Sequence, residues 1–544
     1  MRRVRGLIVL CGLVAAVACG GGESTMPRAT TDAGVTEGVV LASGVKAWLG
    51  VPFAKPPVRE LRWREAQPHS WAGVYHADRK MPQCIQVLRP HDINHYFGEE
   101  ATSEDCLYMN IWAPATATPT SKLPVVVFIY GGGGTVGSSG MANYDGAVFA
   151  GQGAIFVNFN YRVGILGFMA HPELTKEQGG HSGNYGYMDQ RFALQWIQRN
   201  IAAFGGDPTK VLITGQSAGA RSVAQQIFSP QSKGLFRAAA MFSACNYTVS
   251  NTPLAEGEAT GLEIQKALEA TDLEALRNVP ADRILAIQNE TQLGRSVQGV
   301  RTSGVIDGYF MPGSGPSILE AKGAADVPII ASFTHDEANN QLKGLKTADE
   351  YRAKVKTLLK DQADAFLAQY PVASDADVAL MAQTVANEGA GLANSRTCAV
   401  LQAKHHQSPT YVTVFSRKHP YVPGVRIADQ DTATIGAYHT SEVPYYYGTQ
   451  DAYNLFRPTR NWTDYDRDLS KKLMASLIAF ANTGNPSTAE VTWPAWAADK
   501  EQYIEFGDAI RTLTINAARM AFLEPLRAAL APLPATGPRR FPRD

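Results

Sequence analysis

Four short stretches are apolar without interruption or nearly so: residues 124–130, 154–160, 211–214 and 327–333. Such runs, rich in valine and isoleucine and bounded by glycine, proline or polar residues, predict strands covered on both faces, because a strand with one wet face would alternate. Residues 191–201 instead set Leu194, Ile197 and Ile201 at helical spacing on one face. A second helix is expected over 220–227, directly after the 211–214 strand and a small-residue turn. Strands separated by helical segments imply crossover connections and therefore a mainly parallel, twisted sheet flanked by helices, the α/β class. Residues 255–410 are rich in Ala, Leu and Glu at helical spacing and are read as helical insertions over that sheet. No repeat of fixed period is visible.

Charge narrows the partners. Lys plus Arg equals Asp plus Glu, at 50 each, so the surface offers no basic field for a nucleic acid. With 45% hydrophobic and 18% charged residues, the chain has the make-up of a soluble globular protein with a large core.

The N-terminus changes the compartment. Met1-Arg2-Arg3-Val4-Arg5 followed by an apolar run over 6–18 has the form of a secretory signal peptide, since the run is too short to span a bilayer. Ala16-Val17-Ala18-Cys19 resembles a bacterial lipobox, with Ala16 where leucine is usual. A lipid on Cys19 would tie the protein to the cell envelope through the flexible Gly20-Gly21-Gly22-Glu23-Ser24. Ordinary cleavage after Ala18 would release it, secreted or periplasmic. The expected organisation is a signal over 1–18, a tether over 19–30 and a single domain over 31–535, since large α/β enzymes reach this length as one unit. Export leaves Cys84, Cys106, Cys245 and Cys398 in an oxidising compartment, where four cysteines allow three pairings.

The chemistry centres on Val211-Leu212-Ile213-Thr214-Gly215-Gln216-Ser217-Ala218-Gly219, a strand running into Gly-x-Ser-x-Gly with a helix behind it. A serine at the apex of such a turn is held in a strained backbone that exposes its hydroxyl. Glycine is needed two residues to either side because a side chain there would collide with neighbouring backbone. The helix N-terminus adds a positive field, and the amide of Ala218 is free to bind an oxyanion. The glycine run 131–134 after strand 124–130 is not a phosphate cradle, since no Gly-Lys-Ser/Thr follows it.

Phe204-Gly205-Gly206, the strand and this elbow together resemble the active-site signature of the type-B carboxylesterases, α/β-hydrolases related to the cholinesterases. Similar too are Gly50-Val51-Pro52-Phe53-Ala54-Lys55-Pro56-Pro57 with Leu61-Arg62-Trp63, Glu104-Asp105-Cys106-Leu107-Tyr108-Met109-Asn110-Ile111, and Thr483-Gly484-Asn485-Pro486 near the end. The likeness covers nearly all of the mature chain and implies the α/β-hydrolase fold. It also implies a Cys84–Cys106 disulfide, which leaves Cys245 and Cys398 as a second pair or as two buried thiols. Ion pairs are implied between Arg62 and Glu104 and between Arg162 and Asp189. Gly132 and Gly133 match the oxyanion donors beside Ala218, with Gly134 where relatives carry an aromatic residue.

A serine hydroxyl needs a base, and the base an orienting acid; in this fold they follow in the order serine, acid, histidine. Of the five histidines after Ser217, His405 and His406 lie in a polar run read as solvated surface. His439, in Gly436-Ala437-Tyr438-His439-Thr440-Ser441-Glu442, matches the family's Gly-x-x-His-x-x-Glu loop. The acid comes from Thr334-His335-Asp336-Glu337-Ala338, at the C-terminal end of strand 327–333. The family's Asp-Glu-Gly favours Glu337 over Asp336, with Ala338 in place of the glycine. A metal site on His335, Asp336 and Glu337 is disfavoured because adjacent strand residues point to alternate faces. Ser243 and Glu442 match positions near the histidine in relatives.

The reading is a serine hydrolase acting on small-molecule carboxylic esters through an acyl-enzyme on Ser217, with no cofactor and no metal. A lipase or a dedicated esterase for aromatic or polyester-type substrates is the alternative among enzymes. A non-enzymatic binding protein on this fold is the alternative outside them, although such relatives typically lack the serine. A cholinesterase is not expected, since the 84–106 loop holds no Trp to face a quaternary ammonium, only Tyr96 and Phe97.

Overall fold

The computed structural model describes residues 26–86, 101–245, 247–248, 251–292, 302–427 and 431–532. The signal, Cys19, Tyr96 and Phe97 lie outside the described residues. The expected tether overlaps a strand: Arg28–Thr31 pairs with Gly34–Glu37, which pairs with Val74–His76 in a small three-stranded sheet.

The large sheet contains, in chain order, β1 (Val39–Val40), β2 (Lys46–Pro52), β3 (Tyr108–Ala113), β4 (Leu123–Ile129), β5 (Ile155–Phe159) and β6 (Gly206–Gln216). After these come β7 (Ala238–Phe242), β8 (Ile329–Thr334), β9 (Thr410–Phe415), β10 (Gln502–Phe506) and β11 (Ile510–Thr514). Their spatial order is β11-β10-β9-β8-β7-β6-β4-β5-β3-β2-β1. Pairing is parallel from β10 through to β5 and antiparallel at both edges, so the sheet is mixed, with the expected parallel centre. Val211, Leu212 and Ile213 are fully buried although successive side chains point to opposite faces, so β6 is covered on both sides. The helices α1 (Tyr185–Asn200), α2 (Ala218–Phe228), α3 (Gly391–His405) and α4 (Asp464–Thr483) provide much of that cover.

The four apolar runs all form strands, with ends shifted by a few residues. Helix α1 starts six residues before the expected 191 because Tyr185 to Gln190 are buried on every side and carry no amphipathic signal. Among them Asp189 is gripped by Arg162, Nη2 to Oδ1 2.6 Å and Nε to Oδ2 2.8 Å, with both side chains buried. Arg62 holds Glu104 in the same forked way. Such pairs fix loop geometry more than they add net stability, since desolvation offsets much of their attraction. The helices after residue 340 build a separate small core around Tyr351, Phe366, Tyr370 and Val385.

Cys84 is bonded to Cys106 and Cys245 to Cys398, so the free-thiol alternative does not hold. His406 is not on the solvated surface that its polar run predicts. It is buried and its Nδ1 lies 2.9 Å from Gln402 Oε1, because the end of α3 turns it inward; burial holds its pKa below the usual value.

Candidate active site

Parallel strands in register end along one edge of the sheet, and the loops they feed are neighbours whatever their distance in sequence. Gly215 pairs with Ile129, Gln216 with Phe242, Phe242 with Ser332, and Thr334 with Phe415. The glycine loop after β4, Ser217 after β6, Ser243 after β7 and Glu337 after β8 are thereby set side by side.

Ser217 is the N-cap of α2, with φ 58° and ψ −120°. Such a conformation costs a non-glycine residue of the order of 1–3 kcal/mol. It is held from both sides, the Ser217 amide donating to Phe242 O at 2.8 Å and the Arg221 amide donating to Ser217 O at 3.1 Å. The flanking glycines are steric necessities: a Cβ on Gly215 would stand 2.3 Å from Gly219 O, and one on Gly219 would stand 2.0 Å from Ile129 O. Ala218 is the first helical residue, whose amide has no acceptor inside the helix. Among the described residues, the amides of Gly132 and Gly133 donate to no other backbone group. Gly133, Gly134 and Ala218 line one cleft, so glycine loop and elbow meet.

His439 presents Nδ1 to Glu337 Oε2 at 2.5 Å, and its Nε2 lies 3.4 Å from the Gln216 side-chain amide, one residue before Ser217. The other Glu337 oxygen accepts from the Thr334 amide at 2.9 Å, which fixes the carboxylate. Asp336 is turned elsewhere: Oδ2 accepts from the Ala437 amide at 2.6 Å and Oδ1 lies 3.0 Å from His335 Nδ1. His335 and Asp336 thus pair with each other while Glu337 faces His439, and the three do not converge on one point. Burial works to lower the pKa of His439, but the hydrogen bond and charge of Glu337, helped by Glu442, outweigh it and raise the value. Ser243 Oγ donates to Glu442 Oε1 at 3.3 Å. Burial, reinforced by the Glu337 charge, pushes the Glu442 carboxyl up to about 7. The remaining late histidine, His419, is buried with Nε2 2.8 Å from Ser441 O, and desolvation lowers its pKa to about 3; it stays neutral and buttresses the His439 loop.

The model of the family described as carboxylesterases matches residues 26–523. The chain belongs to the carboxylesterase family. It is a carboxylic ester hydrolase on the α/β-hydrolase fold. Fumonisin B1 esterase of Sphingopyxis macrogoltabida is 41% identical over 355 residues, 64% of this chain and 63% of that protein, so the match spans under two thirds of that relative. Para-nitrobenzyl esterase of Bacillus subtilis (strain 168) is 32% identical over 486 residues, covering 86% of this chain and 92% of that one. A solved PNB esterase structure superposes with a TM-score of 0.72 at 28% identity, over 93% of this chain and all of that chain.

Two members of the site carried no signal in the motif reading. Gln216 was seen only as the variable position of Gly-x-Ser-x-Gly, yet its amide faces His439. Arg221 stands four residues after Ser217, and the hint was a charge on a helix otherwise made of small, apolar and amide residues.

Proposed function

We propose that the protein hydrolyses carboxylic esters by acyl transfer through Ser217, with His439 as general base and acid and Glu337 as its orienting partner. The observation that carries this reading is the pair of contacts on one imidazole, Nδ1 on Glu337 and Nε2 beside the residue preceding Ser217. Glu337 holds the proton on Nδ1, which leaves Nε2 free to accept the Ser217 proton as Oγ attacks the ester carbonyl. The amides of Gly132, Gly133 and Ala218 bind the tetrahedral oxyanion. His439 then protonates the leaving alcohol, and water repeats the cycle on the acyl-enzyme. A Ser217–His439 hydrogen bond forms once substrate is bound, since catalytic hydrogen bonds are often long or misaligned without it.

The two disulfides fit an extracellular or periplasmic protein, and among the described residues no helix is long and apolar enough to cross a membrane. Export on the 1–18 signal, with a lipid on Cys19 tethering a single domain whose first strand is Arg28–Thr31, completes the reading.

The test is Ser217→Ala assayed on a p-nitrophenyl ester, beside organophosphate labelling of the wild type. Loss of at least a thousandfold in kcat is expected, within the range seen when a nucleophile is removed, with Tm unchanged and the label on the Ser217 peptide. Retained activity, or labelling of another residue, would overturn the assignment.

A further inference from the structure

Every residue of α2 is buried except Arg221, which is half-buried one turn beyond Ser217, about 6 Å along the helix axis. Among the described residues, no carboxylate pairs with its guanidinium and no acceptor takes a hydrogen bond from it. That is unlike Arg62, Arg162, Arg191, Arg396, Arg417 and Arg519, each of which holds a carboxylate. Withdrawing a cation from water without a partner is unfavourable, so an unmatched arginine in a concave site is matched by what binds there.

Arg221 lines a cleft that opens to solvent. Its wall is shared with Gly133, Gly134, Ala218, Tyr187 and Thr302, and no acidic residue lies in the described wall. Burial raises the phenols of Tyr161 and Tyr187, and the positive charge of Arg221 opposes that rise. Ser217 and His439 both lie outside this wall, which meets the glycine loop at Gly133 and the elbow at Ala218. The leaving oxygen of an ester must lie where His439 can protonate it, so the alcohol half occupies the histidine side and the acyl half enters the cleft.

We propose that Arg221 is the receptor for a carboxylate on the acyl half of the substrate, so that the preferred esters are half-esters of short dicarboxylic acids. Its planar fork of donors suits a carboxylate held in two parallel hydrogen bonds. Two or three methylenes between the scissile carbonyl and the free carboxylate span the single turn between Ser217 and Arg221. The inference rests on Ser217, Gly132, Gly133 and Ala218 having the roles proposed above.

The experiment compares kcat/KM for monoethyl succinate and ethyl levulinate, which replaces the free carboxylate by a methyl ketone of similar size. Wild type, Arg221→Gln and Arg221→Lys are assayed at low and high salt, with Ser217→Ala as control. Wild type should favour the half-ester by at least tenfold. That ratio should fall about 10- to 100-fold in Arg221→Gln, as expected for a lost charge-assisted pair, recover in part in Arg221→Lys, and shrink with salt. Should the arginine variants fold poorly, wild type alone decides: free succinate should inhibit ethyl butyrate hydrolysis at least tenfold more tightly than hexane-2,5-dione, a neutral diketone of similar length. Acetoxyacetate, with its carboxylate on the alcohol half, should show no Arg221-dependent preference, and such a preference would overturn the acyl assignment. An unchanged ratio in Arg221→Gln, or equal inhibition by succinate and hexane-2,5-dione, overturns the proposal while leaving Ser217 chemistry standing. Turnover of either ester by Ser217→Ala would instead overturn the reading on which it rests.

Discussion

Replacing Glu442 with glutamine should stabilise the protein at pH 8 and leave it unchanged at pH 4. Glu442 is 1% exposed, its Oε1 meets only the Ser243 hydroxyl, and its Oε2 has no partner among the described residues. Burial and the neighbouring Glu337 raise the carboxyl from its ordinary 4.5 to about 7. Below pH 4.5 the group is protonated in both folded and unfolded chains and imposes no penalty. Between 4.5 and 7 the unfolded chain ionises while the folded one cannot, and each pH unit costs about 1.4 kcal/mol. Above 7 the penalty levels off between about 3 and 4 kcal/mol, the product of that slope and the rise of the pKa from 4.5 to about 7. Glutamine has no such pH dependence. Unfolding entropy for a chain of 544 residues is of the order of 1 kcal/mol/K, so the difference amounts to about 3–4 °C in Tm. The assay is differential scanning fluorimetry of both proteins from pH 4 to 8.5 at one scan rate, since large disulfide-bonded proteins often unfold irreversibly. The Tm difference should open between pH 4.5 and 7 and stay level above. A difference independent of pH would refute the reasoning, because a purely steric effect of the substitution does not titrate.

Because the His439 pKa is raised and only neutral imidazole acts as base, the acid limb of kcat/KM should sit above pH 6.5, and Glu337→Gln should move it to lower pH; limbs at the same pH in both proteins would contradict the Glu337 contact. Gly134→Phe places a ring against Phe168, 3.8 Å from the new Cβ, at a backbone φ of 80°. It should lower kcat/KM for butyryl and benzoyl esters more than for acetyl esters, whereas one common factor would mean that the loop is disturbed and the cleft is not filled. The Cys84→Ala/Cys106→Ala double variant opens a disulfide of sequence separation 22, and should lose about 3 kcal/mol on the chain-entropy model, read as a lower Tm under non-reducing conditions.

The strands over 124–130, 154–160 and 211–214 are legible because a strand covered on both faces must be apolar throughout, and a covalent pattern of that kind shows in any window of residues. The elbow is legible for a similar local reason: only glycine escapes the contacts of 2.0 and 2.3 Å that a Cβ would make at positions 219 and 215. What local pattern cannot carry is which distant groups share a neighbourhood. Asp336 and Glu337 are adjacent in sequence and chemically alike, and it is the turn at the end of β8, with Glu337 bonded back to the Thr334 amide, that hands one to His439 and the other to Ala437. The start of α1 at Tyr185, the inward turn of His406 and the raised pKa of Glu442 follow from burial by segments far along the chain, and so does the lone charge of Arg221 in its cleft. Burial depends on everything packed around a residue, and that sum is taken only in the folded chain.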